Sequence, residues 1–117
     1  MPRTSTDLAP IAEQARSSPQ RYAEFLRVPA LSAGAYVLGV GSTDRQRPHA
    51  EDEIYFVVSG RGRFRREEDD RPVAAGEVLF VPAHAPHRFH SIEEELVLLV
   101  VFGPSESVPA ERAGRPA

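Results

Sequence analysis

The stretch Gly41-Ser-Thr-Asp-Arg-Gln-Arg47-Pro-His49-Ala-Glu51-Asp-Glu53-Ile-Tyr55-Phe-Val57-Val-Ser-Gly60 decides how the rest of this 117-residue chain is read. Side chains alternate faces along an extended strand, so Arg47, His49, Glu51 and Glu53 point one way, and Tyr55 and Val57 continue the row. Four polar or charged groups running into an aromatic and an aliphatic residue do not make an ordinary core face. Burying His49 and Glu53 with neither a metal nor another partner would cost several kcal/mol. A second stretch, Gly76-Glu-Val-Leu-Phe-Val-Pro82-Ala-His84-Ala-Pro86-His87-Arg88-Phe89-His90-Ser91, places a loop between Pro82 and Pro86 and opens a strand near His87. Two imidazoles and a carboxylate from adjacent strands match the set that holds Fe(II) on one face and leaves positions open, and Zn, Mn or Ni use the same atoms. His84 and His90 read as loop and outward-facing groups.

Outward from these stretches the chain is built of short apolar or alternating runs broken by Gly, Pro and Asp. The runs predict strands at Tyr22 to Arg27, Ala33 to Val40, Arg45 to His49, Ile54 to Ser59, Arg61 to Arg66, Arg71 to Val73, Val78 to Val81, His87 to His90 and Leu96 to Phe102. Ser59-Gly60-Arg61-Gly62 reads as a turn between two of them, because glycine accepts positive φ without steric cost. One helix is expected after Asp7, with Leu8, Ile11, Ala12 and Ala15 at helical spacing and Ser17, Ser18 and Pro19 ending it. Many short strands with no helices between them imply an antiparallel, all-β sandwich or barrel. The chain therefore divides into a helical extension over residues 1–20, a barrel over 21–103 and a flexible tail over 104–117.

Composition removes whole classes of chemistry. The sequence holds no Cys, Lys, Asn or Trp, and its fourteen basic residues are all Arg. Disulfides, thiolate nucleophiles and lysine Schiff bases are thus excluded. A net charge of -3 argues against nucleic acid or anionic lipid as partner. The Arg61, Arg63, Arg65 and Arg66 cluster is followed at once by the acidic run from Glu67 to Asp70, which predicts a self-neutralising hairpin. With no apolar run of signal-peptide or membrane-spanning length, the expected location is the cytoplasm and no membrane partner is expected.

The two stretches resemble the paired motifs of the cupin superfamily. In the first motif, Gly41, Arg47, His49, Glu53 and Gly60 fall at the family's spacing, with Arg47 where a histidine is usual. In the second, Gly76, Pro82 and His87 match, while His84 replaces a glycine and Ser91 an asparagine. The resemblance implies a double-stranded β-helix, or jelly-roll barrel, with a metal inside it. Carried over residue by residue, His49, Glu53 and His87 are the metal ligands. Arg47 is not, since a guanidinium has no lone pair to give. The metal is then held by three protein ligands, or Glu51 supplies a fourth, or the site has lost its metal. Fe(II) is the divalent ion favoured, with Zn, Mn or Ni as alternatives.

Around such a metal Arg47 would clamp a substrate carboxylate or pair with Glu51 or Asp52 at the rim. Tyr55 and Phe89 lie two residues beyond Glu53 and His87, so both would face the pocket and shape an apolar substrate. Tyr36 and Phe80 alternate in the same way and read first as core, with Tyr36 also a candidate substrate contact. Glu51 or Tyr55 would handle a proton. The leading expectation is a metal-dependent enzyme of dioxygenase type acting on a small organic molecule. The alternatives are an isomerase, lyase or cyclase using Zn, Mn or Ni as Lewis acid, and a non-catalytic small-ligand module. The apolar segment Tyr22 to Val28, together with the resemblance, predicts a homodimer.

Overall fold

From Glu53 to Val57 the predicted alternation is realised: Glu53, Tyr55 and Val57 are buried, while Ile54 and Val58 are exposed on the opposite face. The computed structural model describes residues 4–44 and 48–107. One helix, α1 (Leu8–Ser17), precedes six strands: β1 (Tyr22–Val28), β2 (Leu31–Leu38), β3 (Asp52–Arg66), β4 (Asp69–Ala74), β5 (Val78–Val81) and β6 (His87–Gly103). All pairings are antiparallel, in the order β1-β2-β6-β3-β4, with β5 also on β3. This is the expected all-β jelly roll. Tyr36, Tyr55, Phe89, Leu98 and Phe102 form the barrel core.

The long ladder between β3 and β6 creates the site. Asp52 pairs with Gly103 at one end and Arg66 with His87 at the other. A straight ribbon of that length would hold its ends roughly 45 Å apart at the usual rise per residue. Instead Glu53, from the first end, lies 3.2 Å from His87 at the second. The ribbon closes on itself because its register slips three times between Val57 and Arg63, and such bulges bend and twist a strand. Gly60 sits within these slips at φ +92°, where a Cβ would overlap the Glu95 carbonyl. A glycine is therefore required at that point of the bend.

This bend corrects the turn predicted at Ser59 to Gly62: the chain runs straight through as one strand, and the hairpin turn falls at Glu67 and Glu68 instead. The strands predicted at His87 to His90 and Leu96 to Phe102 likewise fuse into β6. Of the strand predicted at Arg45 to His49, residues 45–47 lie outside the described residues and His49 is in a loop. Phe80 is 52% exposed rather than core. The basic cluster is neutralised within its hairpin only in part: Arg63 pairs with Asp70 at 3.2 Å, Arg61 reaches Glu93 on β6 at 2.9 Å, and Arg65 and Arg66 donate to the carbonyls of Glu67 and Phe80.

Helix α1 packs outside the barrel, its Ala12 and Ala15 against Ala35, Val37 and Val97. Strand β2 is accordingly buried on both faces, which explains its continuous apolar run. A bidentate clamp holds the helix down, Arg16 donating from Nε and Nη2 to Glu95 at 3.0 and 2.8 Å. The hydrogen bond from Arg16, opposed by partial burial and aided by the charges of Arg16 and Arg21, holds the Glu95 carboxyl below its ordinary value. A depressed carboxyl contributes stability above its unfolded value, near pH ~4.3, and loses it as pH falls through the lower folded value. The protection of α1 amides should therefore fall below about pH 4 while the barrel stays protected, and Arg16→Ala should weaken that dependence, leaving only the share of Arg21. Among the described residues no helix is long and apolar enough to cross a membrane.

Candidate metal centre

Glu53 enters the barrel from the start of β3 and His87 from the start of β6. Their side chains are each about 1% exposed, with Nε2 3.2 Å from Oε1. The His87 Nδ1–H donates to the Ala85 carbonyl at 2.8 Å, since a carbonyl can only accept. That bond turns Nε2 toward the carboxylate and leaves it as the nitrogen open to a cation, the arrangement found for metal-bound histidines. Burial acts to lower the His87 pKa, but the contact with Glu53, its charge and the Ala85 carbonyl outweigh it and hold the ring above its ordinary value. Neither carboxylate oxygen of Glu53 accepts a well-formed hydrogen bond, although both are buried. A carboxylate taken out of water and left so incompletely satisfied is costly, and a cation at that point would offset the cost.

His49 provides the third donor from the loop before β3, its ring centre 6.2 Å from that of His87 and 4.8 Å from Phe102. The two histidines and Glu53 fit a divalent cation by donor type. Among the described residues no three His, Cys, Asp or Glu side chains are gathered closely enough to hold a metal ion as they stand. Glu51, the expected proton carrier and the alternative fourth ligand, is buried but accepts a hydrogen bond from the Ser107 backbone N–H at 3.2 Å. Arg47 lies outside the described residues.

Tyr55 and Phe89 do meet beside His87. The ring centres are 4.9 Å apart in an edge contact, and Tyr55 is 6.0 Å from His87, with Phe64 closing the same wall. Tyr36 is 1% exposed and donates its hydroxyl hydrogen bond to Asp44 at 2.8 Å. His84 and His90 are peripheral, His84 exposed in the loop and His90 on Asp70 at 2.9 Å. Two buried acids carry no sequence expectation. Asp44 ties Tyr36 to the Phe89 backbone, and Glu106, within the segment read as tail, lies 3.8 Å from His49. The remaining tail residues, 108–117, are outside the described residues.

Residues 35–102 match the Cupin domain family. Over 86 residues the chain is 51% identical to the protein SCO3923 of Streptomyces coelicolor, covering 74% of this chain and 82% of that one. A shorter stretch of 57 residues is 42% identical to the acireductone dioxygenase of a Sulfurihydrogenibium species, covering 45% of this chain and 32% of that enzyme. The structure of TT1209 from Thermus thermophilus superposes with a TM-score of 0.71 at 25% identity, over 88% of this chain and 99% of that one. KdgF from a Halomonas species shares the fold at a TM-score of 0.69 and 22% identity, over 78% and 84% of the two chains. The paired motifs, the closed β3–β6 ribbon with histidine and glutamate at its joined ends, and the family match over more than half the sequence agree: the chain belongs to the cupin family.

Proposed function

We propose that the protein is a metal-dependent oxidoreductase of the non-haem Fe(II) dioxygenase type, acting on a small organic substrate. One observation carries this reading: the buried contact of His87 Nε2 with a Glu53 carboxylate that accepts no well-formed hydrogen bond, beside the buried His49 ring. The similarity to part of an acireductone dioxygenase supports it. His49, Glu53 and His87 would hold the Fe(II), which would supply redox chemistry when bound.

The chain's own residues do the rest. Ala85 orients His87 through its carbonyl. Tyr55, Phe89 and Phe64 form a water-excluding aromatic wall beside it, suited to an apolar or aromatic substrate group. Burial first, then the nearby charges of Glu53 and Asp44, holds the Tyr55 hydroxyl well above its ordinary value. Tyr55 therefore keeps its proton through the physiological range and acts as a hydrogen-bond donor, not as a base. With Glu51 engaged at Ser107, Tyr55 is the better placed of the two to donate a hydrogen bond to substrate.

The test is anaerobic reconstitution with Fe(II), followed by dioxygen uptake with phenols, thiols and keto acids. Substrate-dependent uptake that disappears in Glu53→Ala supports the reading. Turnover without dioxygen consumption in Zn- or Mn-loaded protein would replace it with Lewis-acid chemistry.

A further inference from the structure

We propose that Glu106 is the positioning residue for His49: its carboxylate takes the Nδ1 edge of that imidazole and so presents Nε2 as the ligating nitrogen. This rests on His49 serving as a metal ligand, as proposed above. The Glu106 side chain is fully buried and its Oε2 lies 3.8 Å from His49 Nδ1, itself only 2% exposed. Apolar collapse does not bury a carboxylate, since the desolvation cost is several kcal/mol. The surrounding backbone is instead fastened on both sides. The Glu106 N–H donates to Ser32 Oγ at 2.8 Å, Arg27 Nη1 donates to the Glu106 carbonyl at 2.8 Å, and the Ser107 N–H donates to Glu51 Oε2 at 3.2 Å. Three residues from distant parts of the chain thus set where this carboxylate sits.

His87 shows what such an arrangement achieves. Its Nδ1 is tied to the Ala85 carbonyl and its Nε2 faces Glu53. His49 turns the same nitrogen toward an oxygen, with Glu106 on the side the carbonyl takes at His87, at 3.8 Å rather than 2.8 Å. Both imidazoles are then held in one tautomer by a partner outside the ligand set, the arrangement that fixes metal-binding histidines generally. The same geometry accounts for the buried Glu51, which steadies the segment that delivers Glu106 by holding the Ser107 backbone. A barrel that lacks one usual histidine is therefore compensated by a third carboxylate acting through His49, not by a fourth ligand.

Two measurements decide this. In metal-free protein labelled with nitrogen-15, long-range proton–nitrogen correlations should show His49 as the Nδ1–H tautomer. That preference should be lost in Glu106→Met and largely regained in Glu106→Gln, which keeps an acceptor oxygen. Co(II) affinity, read by chelator competition, should fall roughly 10- to 100-fold in Glu106→Met, while the absorption spectrum of the saturated site is unchanged. The metal-free protein should stay folded but melt lower in Glu106→Met than in Glu106→Gln, because Met leaves the buried His49 Nδ1–H without an acceptor and Gln does not.

A His49 tautomer indifferent to Glu106, or Co(II) affinity within twofold of wild type, would overturn the proposal. An altered spectrum at saturation would also overturn it, making Glu106 a ligand itself. If the wild type binds no Co(II), the metal reading fails, and the tautomer measurement still decides whether Glu106 sets His49.

Discussion

Purified without chelator and away from affinity-tag nickel, the wild-type protein should hold close to one divalent metal ion per chain, and Glu53→Ala and His87→Ala should each hold none. The expectation follows from what the ion would repair. Glu53 and His87 are buried side by side at 3.2 Å, and the carboxylate oxygens accept no well-formed hydrogen bond. Removing either ligand from a set of three should weaken binding by more than the roughly 10- to 100-fold typical of outer-shell changes. Metal should also protect the fold by mass action, about 2.7 kcal/mol at a hundred times the dissociation constant. Wild type should then melt higher with metal than without it, and Glu53→Gln should show no such difference. The barrel core of Tyr36, Leu98 and Phe102 does not depend on the ion, so the variants should remain folded. A wild type that stays metal-free after anaerobic Fe(II) reconstitution, or a Glu53→Ala variant that retains its metal, would remove the centre and every catalytic reading built on it.

How far the site could be read in advance depends on the range of its contacts. Glu53, Tyr55 and Val57 share one buried face of β3 because period-two alternation is local, while His49 and Glu51 are buried from the loop before it. His87 was locatable because a proline-bracketed loop fixes where its strand begins. Gly60 was not readable as a bend, since a glycine between two apolar runs signals a turn; only the partner strand, whose Glu95 carbonyl leaves no room for a Cβ, shows that the chain continues. Phe80 lost its phase because Val78, Leu79, Phe80 and Val81 are all apolar, which leaves alternation nothing to measure. Glu106 had no signal at all. In the run Pro104-Ser-Glu-Ser-Val-Pro109 it looks like solvated tail, and its partners Arg27, Ser32 and His49 lie far back in the sequence.

Asp44→Ala should be among the most destabilising single changes in the barrel, by roughly 3–5 kcal/mol, because it strands two buried donors at about 1–3 kcal/mol each. Asp44 is 5% exposed; its Oδ1 accepts from the Tyr36 hydroxyl and its Oδ2 from the Phe89 N–H, both at 2.8 Å. At that level of β6 the neighbouring strand β2 has not yet begun to pair, since its ladder covers only Leu96 to Phe102. The Phe89 N–H therefore depends on a side chain for its acceptor. Through this one carboxylate, Tyr36 of β2 is fastened to the strand that carries His87 two residues before Phe89. The melting temperature should fall by about 10 °C or more. Tyr36→Phe alone should cost about 1 kcal/mol, yet in an Asp44→Ala background it should cost nothing or restore stability, because it removes one of the stranded donors. That reversal of sign is the diagnostic outcome. If the two changes are simply additive, or if Asp44→Ala melts within a few degrees of wild type, Asp44 is not the link between these elements.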